Sequence, residues 1–213
     1  MARVLIIGAS KGIGLATVKR ALAGGHRVRA MARSAGQIGL DHDMLEKIKG
    51  DALNAEDVTA ALAGIDIVIQ ALGVRPGPQM IFGPITLFSE ATRILVPAME
   101  AAGVRRLLCV TGFGAGDSRA AIGCLQRLPF RLFLGQAYDD KTVQEAIIKD
   151  SALDWTIVRP GVLTKGRETG RYRVLVEPRR WRNGLISRAD VADFLVKQVD
   201  DDSLLRESPV IVY

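Results

Sequence analysis

Short hydrophobic runs alternate along the chain with longer stretches in which apolar residues recur at helical spacing. The short runs predict buried strands, and the longer stretches predict amphipathic helices. Strands are predicted at residues 3–7, 27–32, 47–50, 66–70, 106–110, 155–158, 171–176 and 210–213. Helices are predicted at residues 14–23, 54–63, 88–102, 138–149 and 189–199, with Asn54 and Ser187 as N-caps.

This alternation of strand and helix is typical of an α/β protein whose parallel sheet is covered on both faces. We therefore predict one domain over residues 1–213, a Rossmann-type, doubly wound, mostly parallel sheet. The expected strand order is 3-2-1-4-5-6, with the ligand at the carboxyl ends of the strands. Residues 112–135 are the least regular in pattern, and with residues 162–185 they are predicted to form substrate or lid segments.

Composition changes this picture little, because 48% hydrophobic and 24% charged residues are ordinary for a globular protein. No apolar run reaches the roughly 18 residues that a membrane span needs. The first residues lack the order of a signal peptide, so we expect a cytoplasmic protein with no membrane partner. Cys109 lies in an apolar run and is expected to be a buried, inert thiol.

The formal net charge of +6 is concentrated in one segment, residues 165–182. This basic segment is interpreted as a solvated loop and edge strand, or as the rim of a pocket for an anionic ligand. No nucleic-acid-binding motif accompanies the charge, so no nucleic-acid partner is expected. His26 and His42 have no companions at metal-ligand spacing, so no metal site is expected either.

A glycine-rich turn, Gly8-x-x-x-Gly12-x-Gly14, follows the first predicted strand and opens the first helix. Such a turn lets a pyrophosphate approach backbone N–H groups, where the helix dipole also favours negative charge. The turn therefore predicts a nucleotide-binding site. The residues expected to contact the nucleotide here are Gly8, Ser10, Lys11, Gly12 and Ile13.

The end of the second strand, Ala30-Met-Ala-Arg33-Ser34, indicates which nucleotide is bound. An NAD site typically places a carboxylate there for the ribose 2′-hydroxyl, and this segment has none. Arg33 instead offers a planar, permanently charged group that suits a 2′-phosphate, and Lys11 can approach the same phosphate. We therefore predict NADP(H) as the cofactor; the alternative for Arg33 is a solvated surface arginine.

The turn Gly8-Ala-Ser-Lys-Gly-Ile-Gly14 resembles that of the short-chain dehydrogenase/reductase superfamily. Further segments, in family order as far as residue 161, resemble its atypical branch, the NmrA-like and biliverdin/flavin-reductase-like NAD(P)-binding proteins. These segments are Gly50-Asp-Ala52, Gln70-Ala-Leu-Gly73, Ala102-Gly-Val-Arg-Arg106, Val110-Thr-Gly-Phe-Gly-Ala-Gly116 and Asp154-Trp-Thr-Ile-Val-Arg-Pro-Gly161.

The resemblance implies further contacts with the cofactor, among them Asp51 with the adenine amine and the loop after Pro160 with the nicotinamide. The full set that it implies is Asp51, Ala52, Ala71, Leu72, Gly73, Thr111, Lys141, Pro160, Gly161 and Val162.

The superfamily's catalytic groups are a Ser or Thr at the end of the fifth strand and a Tyr-x-x-x-Lys pair on the next helix. Thr111 and Lys141 match two of them, and the resemblance implies catalytic roles for both. The residue four before Lys141 is Ala137, whereas Tyr138 is three before it. Tyr138 is a weaker catalytic candidate, since it is rotated by about 100° from the family tyrosine.

The resemblance thus implies an NADPH-dependent oxidoreductase that transfers hydride to a small conjugated or carbonyl acceptor such as a quinone or flavin. The alternative is a non-catalytic NADP(H)-binding redox sensor, which the altered tyrosine position keeps open. A sugar-nucleotide epimerase is disfavoured because no second substrate domain is evident. The expected partner is a small-molecule acceptor, and the expected state is a monomer or homodimer.

Overall fold

The computed structural model describes residues 1–74 and 84–213, and for residues 124–133 it describes the backbone alone. The strands within these ranges are β1 (Arg3–Ile7), β2 (Arg27–Ala32), β3 (Leu45–Lys49), β4 (Ile67–Gln70), β5 (Arg106–Val110), β6 (Asp154–Pro160), β7 (Val162–Thr164), β8 (Arg173–Leu175), β9 (Leu185–Ser187) and β10 (Val210–Val212). The helices are α1 (Gly12–Ala23), α2 (Ala55–Leu62), α3 (Leu87–Ala101), α4 (Cys124–Lys149) and α5 (Arg188–Lys197).

The described strands form one eight-stranded sheet in the order β3-β2-β1-β4-β5-β6-β10-β8, and β7 pairs with β9 in a separate small sheet. Every neighbouring pair in the large sheet is parallel except β10 with β8. The predicted order 3-2-1-4-5-6 and the doubly wound, mostly parallel class are therefore confirmed. The pairing of β7 with β9 has no counterpart among the predictions.

The central strands β1, β4 and β5 are buried on both faces, which explains why they are almost continuously hydrophobic. In β1, Val4 and Ile6 point to one face, where α1 and α5 pack. Leu5 and Ile7 point to the other face, which α2 and α3 cover. Because successive side chains of a strand point to opposite faces, one apolar run contributes side chains to two separate hydrophobic cores.

Two predicted helix starts are confirmed by side-chain caps. The Asn54 side chain accepts a hydrogen bond from the Asp57 N–H at 3.0 Å, and Ser187 accepts one from the Asp190 N–H at 2.9 Å. Caps of this kind contribute about 1 kcal/mol each. Cys109 is fully buried and unpaired, and burial raises the pKa of its thiol to about 12, as expected of an inert cysteine.

One predicted helix is much longer than expected. The helix predicted over 138–149 begins at Cys124, so the second half of the irregular segment 112–135 is helical. The first half holds a short 3₁₀ helix, Gly116–Ala121. Pro129 and Gly135 favoured a loop, but a helix can accommodate a proline at the loss of a backbone hydrogen bond, as α3 also does at Pro97. A lid role for this segment stays a prediction.

No helix in residues 1–74 and 84–213 has the length and hydropathy needed to cross a membrane. The same ranges contain no group of three or more His, Cys, Asp or Glu side chains arranged to hold a metal ion.

Candidate active site

A cavity of about 1220 Å³ runs along the carboxyl ends of the parallel strands, from β3 and β2 through β1 to β5 and β6. This is where a ligand of a doubly wound sheet is expected. The predicted residues that line it are Gly8, Ser10, Lys11, Gly12, Ile13, Arg33, Asp51, Ala52, Ala71, Leu72, Gly73, Thr111, Tyr138, Lys141 and Pro160.

Two predicted contacts, Gly161 and Val162, do not line this cavity. The N–H groups of both pair with neighbouring strands, Gly161 with Ile211 and Val162 with Gly184. The Val162 residue is 53% exposed on β7. Their proposed contact with a nicotinamide stays a prediction.

The glycine turn is shaped by close backbone contacts. A Cβ on Gly8 would lie 2.6 Å from the Ala71 carbonyl oxygen, and one on Gly14 would lie 2.2 Å from that of Gly8. A larger residue at Gly8 would separate the ends of β1 and β4, and one at Gly14 would push α1 away from the turn. Gly12, like Gly8, has a positive φ that is strained for other residues, but the space beside Gly12 is open.

The N-terminus of α1 is open to an anion. Lys11 stands at its N-cap without making a side-chain cap, and the first turn carries no acidic residue. The first N–H groups of a helix have no partner within it, and the dipole places partial positive charge there. This helix end therefore fits a phosphate group.

Two exposed cations, Lys11 and Arg33, line the cavity near this helix end. Within the described residues neither has an ion-pair or hydrogen-bond partner. Residues 33–40, which directly follow β2, contain no carboxylate that could neutralise Arg33. Both side chains are therefore available to a ligand phosphate.

Asp51 lines the cavity from a turn that follows β3. Its N–H donates to the Asp57 carboxylate at 2.8 Å, and its Oδ1 accepts from the Leu53 N–H at 3.1 Å. These bonds fix the Asp51 backbone in the cavity wall. The contact with an adenine amine stays a prediction.

The opposite end of the cavity contains Lys141, which is buried. Its Nζ donates to the Thr111 carbonyl oxygen at 2.7 Å and lies 4.3 Å from the centre of the Phe88 ring. Burial lowers the pKa of Lys141 to about 8, against the opposing charges of Cys109, Glu145 and Asp140. Lys141 therefore changes its charge closer to neutral pH than an ordinary lysine does.

Ala137 is buried and lines the cavity at the position where the family resemblance calls for a tyrosine. Tyr138 also lines the cavity, but its hydroxyl packs against Gly112, where an added Cβ would lie 2.6 Å from the phenolic oxygen. Burial raises the pKa of Tyr138 to about 12, opposite to the effect that the family lysine has on its tyrosine. A catalytic role for Tyr138 stays a prediction.

Behind Thr111 lies a buried ion pair that the sequence did not reveal. The Thr111 hydroxyl donates to Glu145 Oε1 at 2.7 Å, and Arg159 Nε donates to the same oxygen at 3.0 Å. Arg159 Nη2 contacts both Glu145 Oε2 and Asp117 Oδ1. Arg159 is fully buried. An arginine inside the apolar strand β6 was the available signal, since a buried charge requires a partner.

A second missed residue is Arg188, the first residue of α5. It lines the cavity and donates from Nη1 to the Thr164 carbonyl oxygen at 2.9 Å. Two residues of the basic segment are hydrogen-bonded to the first turn of α5. The Asp190 carboxylate accepts from the N–H groups of Thr169 at 2.7 Å and Gly170 at 2.8 Å. The signal was the cap at Ser187, which places the next residue at the start of a helix.

The order of strands, the glycine turn and the cavity at the strand ends define a Rossmann-type dinucleotide-binding protein. A family model described as NAD(P)H-binding matches residues 8–202, and the chain belongs to this family. The predicted cofactor is thereby confirmed as NAD(P)H. The resemblance to atypical short-chain dehydrogenase/reductase proteins is supported by neighbours of this group.

Curated relatives cover most of the chain but differ in length. An uncharacterised chloroplastic protein of Arabidopsis thaliana is 32% identical over 96% of the chain and 72% of its own length. The chloroplastic protein TIC 62 of rice is 30% identical over 90% of the chain but only 42% of its own length. The photosystem II assembly factor Ycf39 of Synechocystis is 24% identical over 99% of the chain and 62% of its own length.

Among solved structures, ChuY of Escherichia coli, described as an anaerobillin reductase, is 30% identical with a TM-score of 0.79. The match covers 99% of this chain and 96% of ChuY. The oxidoreductase YlbE of Lactococcus lactis has a TM-score of 0.83 over 99% of this chain and 90% of its own, but its 20% identity indicates a common fold alone.

Proposed function

We propose that the protein is an NADPH-dependent oxidoreductase that transfers hydride to a small conjugated acceptor such as a quinone or flavin. The observation that carries this proposal is Ala137 in the cavity wall, four residues before the buried Lys141. The lysine of the family pair is present, whereas its phenol is replaced by a methyl group. A substrate that needs a positioned phenolic acid is therefore disfavoured.

The chemistry suits an acceptor that takes its proton from water. Bound NADPH supplies the hydride, so that a quinone, one hydride and one solvent proton give the hydroquinone and NADP⁺. The chain's own contribution is to hold donor and acceptor together, which alone lowers a barrier substantially. The small side chain of Ala137 leaves room in the wall for a flat ring.

The preference for NADPH over NADH rests on the phosphate end of the cavity. Arg33 and Lys11 line it without described partners, and residues 33–40 after β2 offer no carboxylate to bind a free 2′-hydroxyl. A phosphate on that hydroxyl adds charge that both cations attract. The rest of the proposal follows the expectations from the sequence. The partner is a small-molecule acceptor and not a nucleic acid, the chain is a monomer or homodimer, and its location is the cytoplasm.

The test is to measure NADPH oxidation with a quinone, a flavin and a simple ketone, alongside two variants. The wild-type chain should reduce the quinone or flavin and not the ketone. Ala137→Tyr should gain ketone reduction, and Ala137→Phe, of nearly the same size without a hydroxyl, should not. Tight NADPH binding without turnover across the acceptors would contradict the enzyme proposal.

A second candidate is a non-catalytic NADP(H) sensor. It is favoured by the same missing phenol and by a relative that is named an assembly factor rather than an enzyme. The sensor predicts a protein partner whose affinity for this chain changes between the NADPH-bound and NADP⁺-bound forms. Affinity purification in the presence of each form separates this function from the reductase.

A further inference from the structure

Thr111 stands at the cavity with its hydroxyl proton already engaged. A threonine hydroxyl has one proton to donate and two lone pairs to accept with. At 2.7 Å from Glu145 Oε1, the Thr111 oxygen faces a carboxylate, which carries no proton of its own. The shared proton therefore belongs to the threonine, and it points away from the cavity.

The charge on Glu145 is held in place by Arg159. Arg159 donates through Nε and Nη2 to the two carboxylate oxygens, and its guanidinium is permanently charged. Burial opposes the charge on Arg159, but the hydrogen bonds and charges of Glu145 and Asp117 outweigh it and raise its pKa. An ionised, buried Glu145 thus has no alternative to accepting the Thr111 proton.

The rest of Thr111 is fixed as firmly as its hydroxyl. Its N–H donates to the Val158 carbonyl oxygen at 2.9 Å, and its own carbonyl accepts from Lys141 Nζ at 2.7 Å. Glu145 does not line the cavity, whereas Thr111 does. The carboxylate therefore acts on the cavity only through the threonine.

We propose that Glu145 and Arg159 are positioning residues that make Thr111 a hydrogen-bond acceptor at the end of the cavity opposite Lys11 and Arg33, where the nicotinamide of a cofactor with its phosphates at α1 would lie. Its ligand group is the NH₂ of the nicotinamide carboxamide, which offers a donor. This role differs from the catalytic role that the family resemblance implies for Thr111. It rests on the assignment of NAD(P)H as cofactor and does not require turnover.

The test compares the binding of NADPH with that of its 3-acetylpyridine analogue, which keeps the carbonyl but replaces NH₂ by CH₃. If Thr111 accepts from the NH₂, the wild-type chain should bind NADPH about fivefold more tightly than the analogue, as one neutral hydrogen bond warrants. Thr111→Val should abolish this preference and Thr111→Ser should keep it. Dissociation constants come from quenching or calorimetric titration, without any acceptor.

Thr156→Val is the matched control, since Thr156 is a buried, hydrogen-bonded threonine on the neighbouring strand that does not line the cavity. It should keep the full preference for NADPH. Glu145→Gln should reduce the preference in the wild-type background and have no effect on it in the Thr111→Val background. Thermal melting of each variant shows whether it folds.

Three results would overturn the proposal. Equal weakening of both ligands by Thr111→Val would mean that the hydroxyl donates to the carbonyl. Unchanged affinity for both ligands in Thr111→Val would mean that the hydroxyl makes no contact with the ligand. Failure of the chain to bind NADPH at all would remove the cofactor assignment as well, whereas failure to reduce any acceptor would leave this proposal intact.

Discussion

The two ends of the cavity differ in whether their positively charged side chains have partners within the protein. At the phosphate end, Lys11 and Arg33 are exposed and have no described partner. At the other end, Arg159 is buried and bound to Glu145, and Lys141 is buried against a backbone carbonyl. The cations at the phosphate end are therefore available to a charged ligand, whereas those at the other end already have polar partners within the protein.

This difference predicts whether a substitution should change ligand affinity or the free energy of unfolding. Exposed cations cost little in the empty protein, so their removal should change ligand affinity and leave the free energy of unfolding nearly unchanged. A buried pair is assembled during folding, and loss of one partner leaves the other as an uncompensated charge. The three predictions below test this division, beginning with the largest effect.

Arg159→Met should destabilise the chain by about 3–5 kcal/mol, because buried Glu145 would lose both of its bonds to Arg159 and keep, among the described residues, only the Lys149 ammonium as an ion-pair partner, 4.0 Å away. Denaturant unfolding measures this free energy. Arg105→Met is the control, since Arg105 makes a comparable pair with Asp154 at 2.9 Å but on the surface, and it should have little effect. Similar losses from the two variants would show that burial does not distinguish the two pairs.

The pH dependence of stability should carry the signature of Lys141. Its pKa falls from 10.5 to about 8 on folding, so the unfolded chain binds more protons than the folded chain between these values. Stability contributed by this group therefore rises with pH across that window, by on the order of 3 kcal/mol.

The measurement is the difference in free energy of unfolding between the wild-type chain and Lys141→Met from pH 7 to pH 10.5. Taking the difference matters because the raised pKa values of Cys109 and Tyr138 lower stability at alkaline pH in both proteins. A flat difference curve would mean that Lys141 keeps an ordinary pKa despite its burial.

Arg33→Asp should weaken NADPH binding about tenfold and leave NADH binding unchanged or improved, since a carboxylate repels the 2′-phosphate and suits the free hydroxyl. Its melting temperature should stay near that of the wild type. Lys19→Asp makes the same charge change on an exposed residue of α1 outside the cavity. An equal loss of NADPH affinity in both variants would mean that Arg33 acts only through the overall positive charge of the protein and does not contact the 2′-phosphate.

Much of the fold was predictable because its signals are local. A strand buried on both faces, such as β1, is hydrophobic over all its buried residues, Val4 to Ile7, and Ser187 marks a helix start through a single hydrogen bond. The start of α4 was not predictable in this way. Pro129 and Gly135 favour a loop by local preference, and the helix nevertheless extends across both.

The same distinction between local and non-local signals decides which parts of the site could be predicted from the sequence. The glycine turn could be predicted because Gly8, Gly12 and Gly14 lie within one short segment. The contact of Thr111 with Glu145 joins residues 34 positions apart, so no local pattern records it. Ala137 was visible as a departure from the family pair, but only the structure shows that its methyl group lies in the cavity wall.

The position of β1 in the sheet has a consequence for how the chain folds. β1 pairs with β2 on one side and with β4 on the other, so its second edge stays open until residues 67–70 have been synthesised. The Gly8 turn then closes against Ala71 in the same step. The cofactor cleft is therefore assembled by non-local pairing, which is slow to form and exposes strand edges until it is complete.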